Sequence, residues 1–160
     1  MSDANPLDLR GDVDAYYVPT DERTFEPTLH VQGAWLAHEQ HMAPVAGLIT
    51  HCLQTHNPRD DVQIARITFE ILGVMPAART TIDCETIRSG RTIELDEATL
   101  TIEGRVAVRA RAWRLARVDT AQVQADPTRR MPPPQEFPAA DLGRPGKAAS
   151  SPPWNSGSIP

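Results

Sequence analysis

The chain has 160 residues, of which 40% are hydrophobic and 23% are charged, a composition typical of one soluble globular domain. Its formal net charge of -5 argues against nucleic-acid binding, which requires a clustered basic surface. No apolar run approaches the roughly 18 residues of a membrane span, and residues 1–14 lack the apolar segment of a secretory signal. We therefore expect a cytoplasmic protein with neither a nucleic-acid nor a membrane partner.

Proline content divides the chain into a folded part and a tail. Nine of the 15 prolines lie between Pro127 and Pro160. Such a segment cannot bury enough apolar surface to offset the entropy lost on ordering. We predict a flexible N-terminus over residues 1–13, one folded domain over residues 14–122 and a Pro-rich, largely disordered tail over residues 123–160.

Two short strands and one helix are predicted in the first half of the domain. The strands cover residues 15–18 and 24–29, around a turn at residues 19–22. Pro44 fits the first position of the helix, and Asn57-Pro58 predicts its end. Five apolar residues follow Pro44 at the spacing of one helical stripe: Val45, Leu48, Ile49, Cys52 and Leu53.

Four long antiparallel strands are predicted after Pro58, over residues 62–72, 80–88, 91–103 and 106–117. The first changes phase near Ala65. In the third, the apolar residues change parity around Asp96-Glu97, which predicts a β-bulge there. Gly104 supplies the positive φ of the last hairpin. In the last strand one face carries Val106, Val108, Ala110 and Ala112, and the other carries Arg105, Arg109, Arg111 and Trp113.

One helix of about a dozen residues is about 18 Å long, enough to lie across a sheet as its main core contact. Strands of ten or more residues exceed the usual length and indicate strong curvature. The predicted fold class is therefore α+β, with one long central helix wrapped by a curved antiparallel sheet, which is the hotdog fold. Cys52 and Cys84 have no metal-ligand spacing and are expected to be small core residues.

Several motifs resemble the N-terminal hotdog half of the acyl-CoA thioesterase II type, over residues 16–119. They are Phe25-Glu26-Pro27-Thr28, Gly33-Ala34-Trp35, Gln40-His41-Met42-Ala43-Pro44, Arg66-Ile67-Thr68-Phe69-Glu70-Ile71-Leu72-Gly73, Arg88-Ser89-Gly90-Arg91, and Glu103-Gly104-Arg105-Val106-Ala107 continuing to Ala112-Trp113. The resemblance implies hydrolysis of fatty acyl-CoA thioesters by an activated water, with no metal and no covalent cofactor.

The chain departs from the family pattern in two places. Family members usually have a Gly-Gly pair where this chain has Met42-Ala43. They also normally carry a second hotdog domain, which supplies the catalytic Asp, Thr and Gln, whereas here a Pro-rich segment follows. Those three catalytic residues therefore have no counterpart that can be transferred.

Thioester hydrolysis requires donors for the developing oxyanion. The first amides of a helix lack intrahelical partners and lie at the positive end of its dipole. The backbone amides of Ala43, Val45 and Ala46 are therefore candidate donors.

Hydrolysis also requires a group that orients or deprotonates water. No carboxylate lies on the helix between Pro44 and Gln54. The substitutes that remain are Glu39 and His41 just before the helix and His51 within it, of which His41 could act as a base or orient water. Gln40 and Thr50 could position a water by hydrogen bonding. Each has an alternative interpretation: His41 as a cap or packing residue, and His51 as a solvated or interface residue.

Three residues are candidate substrate contacts. Gly47 could allow close approach of a sheet or an acyl chain. Arg88 and Arg91 flank a turn and could bind the nucleotide phosphates of CoA through charge-assisted hydrogen bonds, although a solvated hairpin end is the alternative.

Two functional hypotheses follow. The first is an acyl-CoA thioesterase-like hydrolase that forms a homodimer or pairs with a second hotdog domain, because a lone hotdog leaves an apolar sheet edge that a second copy covers. The second is a non-catalytic acyl-CoA-binding or partner subunit that lacks the catalytic half. A chain separated from its other half is a third possibility.

Overall fold

The computed structural model describes residues 9–33, 36–125 and 130–137. Within these residues the predicted order of two short strands, one α-helix and four long strands is confirmed. The elements are β1 (Tyr17–Pro19), β2 (Thr24–Pro27), α1 (Met42–Thr55), β3 (Val62–Ile71), β4 (Thr80–Arg88), β5 (Ile93–Ile102) and β6 (Arg105–Ala116), with short 3₁₀ helices at Leu29–Val31, Ala121–Val123 and Pro134–Glu136.

The six strands form one antiparallel sheet in the order β1-β2-β4-β5-β6-β3. Helix α1 packs against β4 and β5 near the middle of this sheet. The shared core is built from the buried stripe of α1 and the inward side chains of the long strands: Val45, Leu48, Ile49, Leu53, Ile82, Ala98, Leu100, Val108, Ala110 and Ala112. The predicted helix wrapped by a curved antiparallel sheet is therefore confirmed.

Helix α1 begins two residues earlier than predicted. His41 is its N-cap, with extended backbone at φ -75° and ψ 139°, so Pro44 is the third helical residue and not the first. The shift is tolerated because proline's missing N–H has no helical acceptor anywhere in the first turn. At the other end His56 is the C-cap. Asn57 follows in the left-handed region, at φ 46°, as is common just after a helix.

The predicted β-bulge at Asp96-Glu97 is wrong. Both residues lie in uninterrupted register with β4 and with β6. The register shifts occur between Ile64 and Arg66 in β3, as expected near Ala65, between Thr86 and Arg88 in β4, and between Leu100 and Thr101 in β5. The side chains of β5 alternate without a break because Glu94 and Asp96 point inward, where they lie close to the buried Arg114.

The β5–β6 hairpin confirms one prediction and corrects another. Glu103 and Gly104 both have positive φ, at 49° and 75°, as a tight primed turn requires. Because of the register shift near Thr101, Ala107 is buried and Val106 is exposed. The prediction that Val106 faces inward is therefore wrong.

The predicted domain boundaries remain predictions. Within residues 9–13, Arg10 bridges Thr28, and His30 Nε2 lies 2.9 Å from the Val13 carbonyl oxygen. Most of the predicted tail lies outside the described residues, as do Ala34 and Trp35 of the resembling motif. No helix in the described ranges is long and apolar enough to cross a membrane.

Candidate functional site

Gln40, predicted to position water, is held in place by hydrogen bonds within the protein. Its side chain is buried, with 4% of the residue exposed. Tyr17 donates its hydroxyl to Gln40 Oε1 at 2.6 Å, and Gln40 Nε2 donates to the Pro76 carbonyl at 2.8 Å and to Thr80 Oγ1 at 3.1 Å. Burial raises the pKa of Tyr17 and so keeps it a donor. Gln40 therefore ties the start of α1 to β1 and to the segment before β4.

His41 caps α1 through its ring. The Ala43 amide donates to His41 Nδ1 at 3.1 Å, and the His41 backbone amide donates to the Val31 carbonyl at 2.7 Å. The residue itself is exposed. A ring that accepts at Nδ1 in the neutral form carries its proton on Nε2, so His41 presents an N–H donor at the N-terminus of α1.

The predicted free amides at the helix N-terminus are not free. The Ala43 amide is bound by the His41 ring, and the Val45 amide lies 3.5 Å from the His41 carbonyl oxygen. Ala46 is the fifth residue of α1, where the regular i to i−4 pattern pairs an amide with the carbonyl one turn earlier. These amides therefore lack the free state that the sequence analysis expected, because the helix begins earlier and is capped by a side chain. Their role as an oxyanion site stays a prediction.

The face of α1 that the sheet does not cover carries two other predicted residues. Gly47 is exposed, and a Cβ placed on it would meet nothing within 4 Å. Thr50 is half-buried and donates its hydroxyl to the Ala46 carbonyl at 2.7 Å. The side chains on this face of α1 are small and the space above Gly47 is open, so the face can approach another surface closely.

His51 lies on a different side of α1 from the cap, and the structure does not bring it together with His41. It lines a cleft of about 540 Å³ between the second half of α1, β4 and the β1–β2 turn, together with Cys52 and Cys84. Both cysteines are half-buried rather than buried. Burial raises the pKa of Cys52 to about 11 and that of Cys84 to about 12. Both thiols are therefore protonated at neutral pH and are poor nucleophiles.

Arg88 and Arg91, the predicted phosphate contacts, lie at the opposite end of the helix from His41. Arg88 Nη1 donates to the Ile93 carbonyl across its own hairpin at 2.9 Å, and Arg59, which follows α1, donates to the Arg91 carbonyl at 3.0 Å. Helix α1 has 14 residues and is about 21 Å long. About one helix length therefore separates the two arginines from the His41 cap.

The sequence analysis did not identify a buried ionic cluster at the C-terminal end of α1. Arg114 of β6 is 4% exposed and Asp96 of β5 is 0% exposed, with Arg114 Nε 2.7 Å from Asp96 Oδ2. The guanidinium also donates to three carbonyls at the end of the helix, those of Leu53, His56 and Asn57. A cation at this end complements the helix dipole and satisfies carbonyls that lack helical partners.

A second carboxylate and two further side chains complete this cluster. Glu94 is 2% exposed, with Oε2 3.3 Å from Arg59 Nη1 and Oε1 3.9 Å from Arg114 Nε. Thr86 donates its hydroxyl to Asp96 Oδ1 at 2.7 Å, and His56 Nε2 lies 3.2 Å from the Thr86 oxygen. The signal in the sequence was twofold. Glu94 and Asp96 share the parity of the buried apolar residues of β5, and Arg114 shares the parity of Ala110 and Ala112.

Arg109 and Arg111 of β6 share the outer face of the sheet, whereas Arg114 of the same strand points inward. Arg111 pairs with Glu97 at 2.7 Å, while Arg109 is opposite Glu70 of β3 and Thr99 of β5. This face therefore alternates in charge across strands. Among the described residues, no group of three or more His, Cys, Asp or Glu side chains is arranged to hold a metal ion.

Comparison with solved structures identifies the fold. A protein of unknown function with a hotdog fold from Alicyclobacillus acidocaldarius has a TM-score of 0.62 at 18% identity, covering 83% of this chain and 50% of that one. A putative thioesterase from Novosphingobium aromaticivorans has a TM-score of 0.55 at 17% identity, covering 77% and 49%. The Escherichia coli PaaI protein has a TM-score of 0.53 at 10% identity, covering 59% and 70%.

The chain spans about half the length of the first two of these structures. No match was found among curated proteins. The family model for the acyl-CoA thioesterase N-terminal domain matches residues 31–115, from the 3₁₀ helix before α1 to the last residues of β6. This match covers more than half of the chain and includes the His41 cap, α1 and the four long strands. The chain therefore belongs to the acyl-CoA thioesterase N-terminal domain family.

Proposed function

We propose that this protein binds acyl-CoA thioesters and takes part in their hydrolysis by water at the N-terminal end of α1. Family membership supports acyl-CoA thioesters as the substrate class. The observation that carries the proposal is the capped N-terminus of α1, where the exposed His41 ring accepts from the Ala43 amide and keeps its own N–H free. We take the natural substrate to be a fatty acyl-CoA and the reaction to be cytoplasmic.

In this proposal His41 is a donor and not a base. A proton on Nε2 can be donated to the thioester carbonyl oxygen, where negative charge develops during attack by water. The same ring cannot remove a proton from water without losing its present tautomer. The Ala43 amide supports this role indirectly, because its hydrogen bond to Nδ1 fixes both the tautomer and the orientation of the ring.

We place the base outside α1, because residues 42–55 contain no carboxylate and His51 lies on a different side of the helix from His41. Gln40 is buried and already bonded to three protein groups. The similar structures from Alicyclobacillus and Novosphingobium are about twice as long as the matched region. We therefore propose that the domain works beside a second hotdog unit, a partner chain or another copy of itself, and that the catalytic groups are completed there.

The second candidate function is a non-catalytic acyl-CoA-binding or partner subunit. The occupied Ala43 amide and the fully bonded Gln40 favour it, because neither group is available to the substrate. Both functions require acyl-CoA binding, and only the first requires thioester cleavage.

Thiol release from acyl-CoA esters of several chain lengths, measured beside equilibrium binding of the same esters, tests the proposal. We expect hydrolysis by the full chain and a loss of about 100-fold in kcat for His41→Asn, the effect of removing one oxyanion donor. Asparagine is a good N-cap, so this variant keeps the helix start. His38→Ala, at another exposed histidine, is the matched control and should retain activity.

The possible outcomes separate the two functions. Binding without hydrolysis rejects hydrolysis by this chain alone or by its own copies and supports the partner subunit. Hydrolysis that His41→Asn leaves unchanged rejects His41 as a donor. A chain that neither binds nor cleaves acyl-CoA rejects both functions.

A further inference from the structure

Cys52 and Cys84 are half-buried residues that the proposed function leaves without a role. Both line the cleft of about 540 Å³ beside His51, and both pack against the shared core. Both thiols are free. Two free thiols on separate elements of one cleft can join these elements covalently, provided that their side chains face each other.

Two hydrogen bonds fix how α1 lies along β4. Before the helix, Gln40 Nε2 donates to Thr80 Oγ1 at 3.1 Å, at the first residue of the strand. After the helix, His56 Nε2 lies 3.2 Å from Thr86 Oγ1, near the end of the strand. The helix and the strand therefore run in the same direction, and each position along α1 has a matching position along β4.

Cys52 and Cys84 occupy matching positions in this arrangement. Cys52 precedes His56 by four residues, and the His56 amide donates to its carbonyl at 2.9 Å. It therefore lies on the same face of α1, about 6 Å earlier along the axis. Cys84 precedes Thr86 by two residues on the inward face of β4, about 6.6 Å earlier along the strand. The Cys52 side chain therefore faces that of Cys84.

The pKa of Cys84 agrees with this arrangement. Burial raises this pKa to about 12, and the charge of a Cys52 thiolate raises it further, by more than the charges of Asp96 and Asp83 do. The interaction between two charges weakens with distance. The effect therefore indicates that the two sulfur atoms lie close together.

We propose that Cys52 and Cys84 form a reversible disulfide in the presence of a hydroperoxide, and that this disulfide ties the second half of α1 to β4. The inference goes beyond the proposed function, since neither thiol takes part in the proposed hydrolysis. Transient disulfides of this kind occur in redox-sensing proteins of reducing compartments.

The reaction has two balanced steps. Cys52 reacts first, because its pKa of about 11 is the lower of the two. Its sulfur attacks the hydroperoxide: an S–O bond forms, the O–O bond breaks, and an alcohol leaves with the thiol proton, or water when the oxidant is hydrogen peroxide. Cys84 then attacks this sulfenic sulfur: the S–S bond forms, the S–O bond breaks, and water leaves with the second proton. The two thiols thus lose two electrons and two protons to the oxidant.

Mass spectrometry after alkylation under denaturing conditions tests the proposal. We expect hydrogen peroxide to convert the full chain to a monomer two hydrogens lighter, which takes up no alkylating reagent and carries Cys52 and Cys84 in one linked pair of peptides. Dithiothreitol should restore both thiols. The rate should rise about tenfold per pH unit between about pH 7 and pH 9, because both thiols ionise above this range.

A matched variant tests the facing geometry. Cys52→Ser combined with Gln54→Cys keeps two thiols but moves one of them about 200° around the helix axis, to an exposed position. A glutathione redox buffer measures how readily each pair of thiols forms its disulfide. We expect folding to favour the parent disulfide at least tenfold over the same chain in concentrated urea, and to give no such advantage in the variant.

Each outcome decides the proposal. A disulfide that folding favours in the parent chain but not in the variant supports it. Sulfinic acids without a crosslink, a crosslink between two chains, or equal disulfide formation in the folded and the unfolded chain overturns it. None of these outcomes depends on acyl-CoA hydrolysis, so the disulfide and the proposed function are tested separately.

Discussion

The two ends of helix α1 are fixed by different chemistry. The N-terminal end is held by hydrogen bonds of three uncharged groups: the Gln40 amide, the Tyr17 phenol and the His41 ring. At the C-terminal end a buried guanidinium, that of Arg114, holds the helix carbonyls and is balanced by Asp96 and Glu94. The uncharged end leaves one exposed ring for a substrate, while the charged end is closed and buried.

The difference indicates a division of roles along one helix. A buried ion pair seldom adds net stability over an apolar replacement, but removing one partner is strongly destabilising. The C-terminal end therefore fixes the position of α1 on the sheet. The N-terminal end can present its donor because the helix is already anchored elsewhere.

Replacing Arg114 should have the largest effect. Arg114→Met leaves Asp96 buried without its cation, Glu94 with Arg59 alone, and three helix carbonyls without this donor, so we expect a loss of about 3 to 5 kcal/mol in the free energy of unfolding. Urea denaturation followed by circular dichroism measures it. Arg23→Met is the matched control, because its pair with Asp83 is exposed, and should cost under about 1 kcal/mol. Equal losses in both variants would contradict the anchoring role.

Replacing Gln40 should have the next largest effect. Gln40→Met keeps the volume but leaves the half-buried Tyr17 hydroxyl without its acceptor and takes one donor each from Thr80 and the Pro76 carbonyl, so we expect a loss of about 2 kcal/mol in unfolding free energy. Tyr17→Phe removes one hydrogen bond and should cost about 1 kcal/mol. The same denaturation experiment compares them, and a neutral Gln40→Met would show that the uncharged end is dispensable.

Removing the His41 cap should cost less. His41→Ala leaves the Ala43 amide without its acceptor, and loss of an N-cap costs about 1 kcal/mol. His41→Asn should lie within about 0.5 kcal/mol of the parent chain, because asparagine caps well. Thermal unfolding of both variants checks this expectation. If His41→Asn were as unstable as His41→Ala, this variant could not distinguish the helix-capping role of His41 from its proposed role as a donor to the thioester.

Gly47→Ala should have the smallest effect, and in the opposite direction. A Cβ at Gly47 meets nothing within 4 Å, and alanine is preferred over glycine inside a helix by about 1 kcal/mol. We expect a gain of about 0.5 to 1 kcal/mol in unfolding free energy. If thiol release from acyl-CoA falls in the same variant, the open face of α1 contacts the substrate or a partner. Destabilisation would contradict the open face.

The helix and the long strands were largely predictable from the sequence. The stripe of Val45, Leu48, Ile49 and Leu53 predicted α1, and Asn57-Pro58 predicted its end. Strand β4 was predicted at its observed bounds, and the other long strands to within two residues at either end. The His41 cap was left open as an alternative, because a histidine side chain is an uncommon cap and nothing local distinguishes it from a free imidazole.

The charged end could not be predicted, because its parts are far apart in the chain. Arg114 lies 61 residues after Leu53, whose carbonyl it binds, and the need for an inward cation arises only once β5 and β6 are paired. Taken alone, acidic residues in the middle of a strand indicate a bulge, since a buried carboxylate without a partner is costly. Local sequence also did not show whether the first amides of α1 are free. The Ala43 amide is bound by the side chain of His41, which lies before the predicted helix.

The hydrogen bonds from Arg114 to the carbonyls at the end of α1 limit how the cleft beside His51 can change shape. One wall of that cleft is the second half of the helix, and the facing wall is the turn from Pro19 to Arg23. Arg114 of β6 binds the helical wall at its last turn. On the facing wall, Arg23 is joined to β4 by a hydrogen bond from the Ile82 amide to its carbonyl at 2.8 Å and by an exposed ion pair with Asp83. We therefore expect any widening of the cleft to displace the exposed turn residues Thr20–Glu22, while the last turn of α1 stays in place.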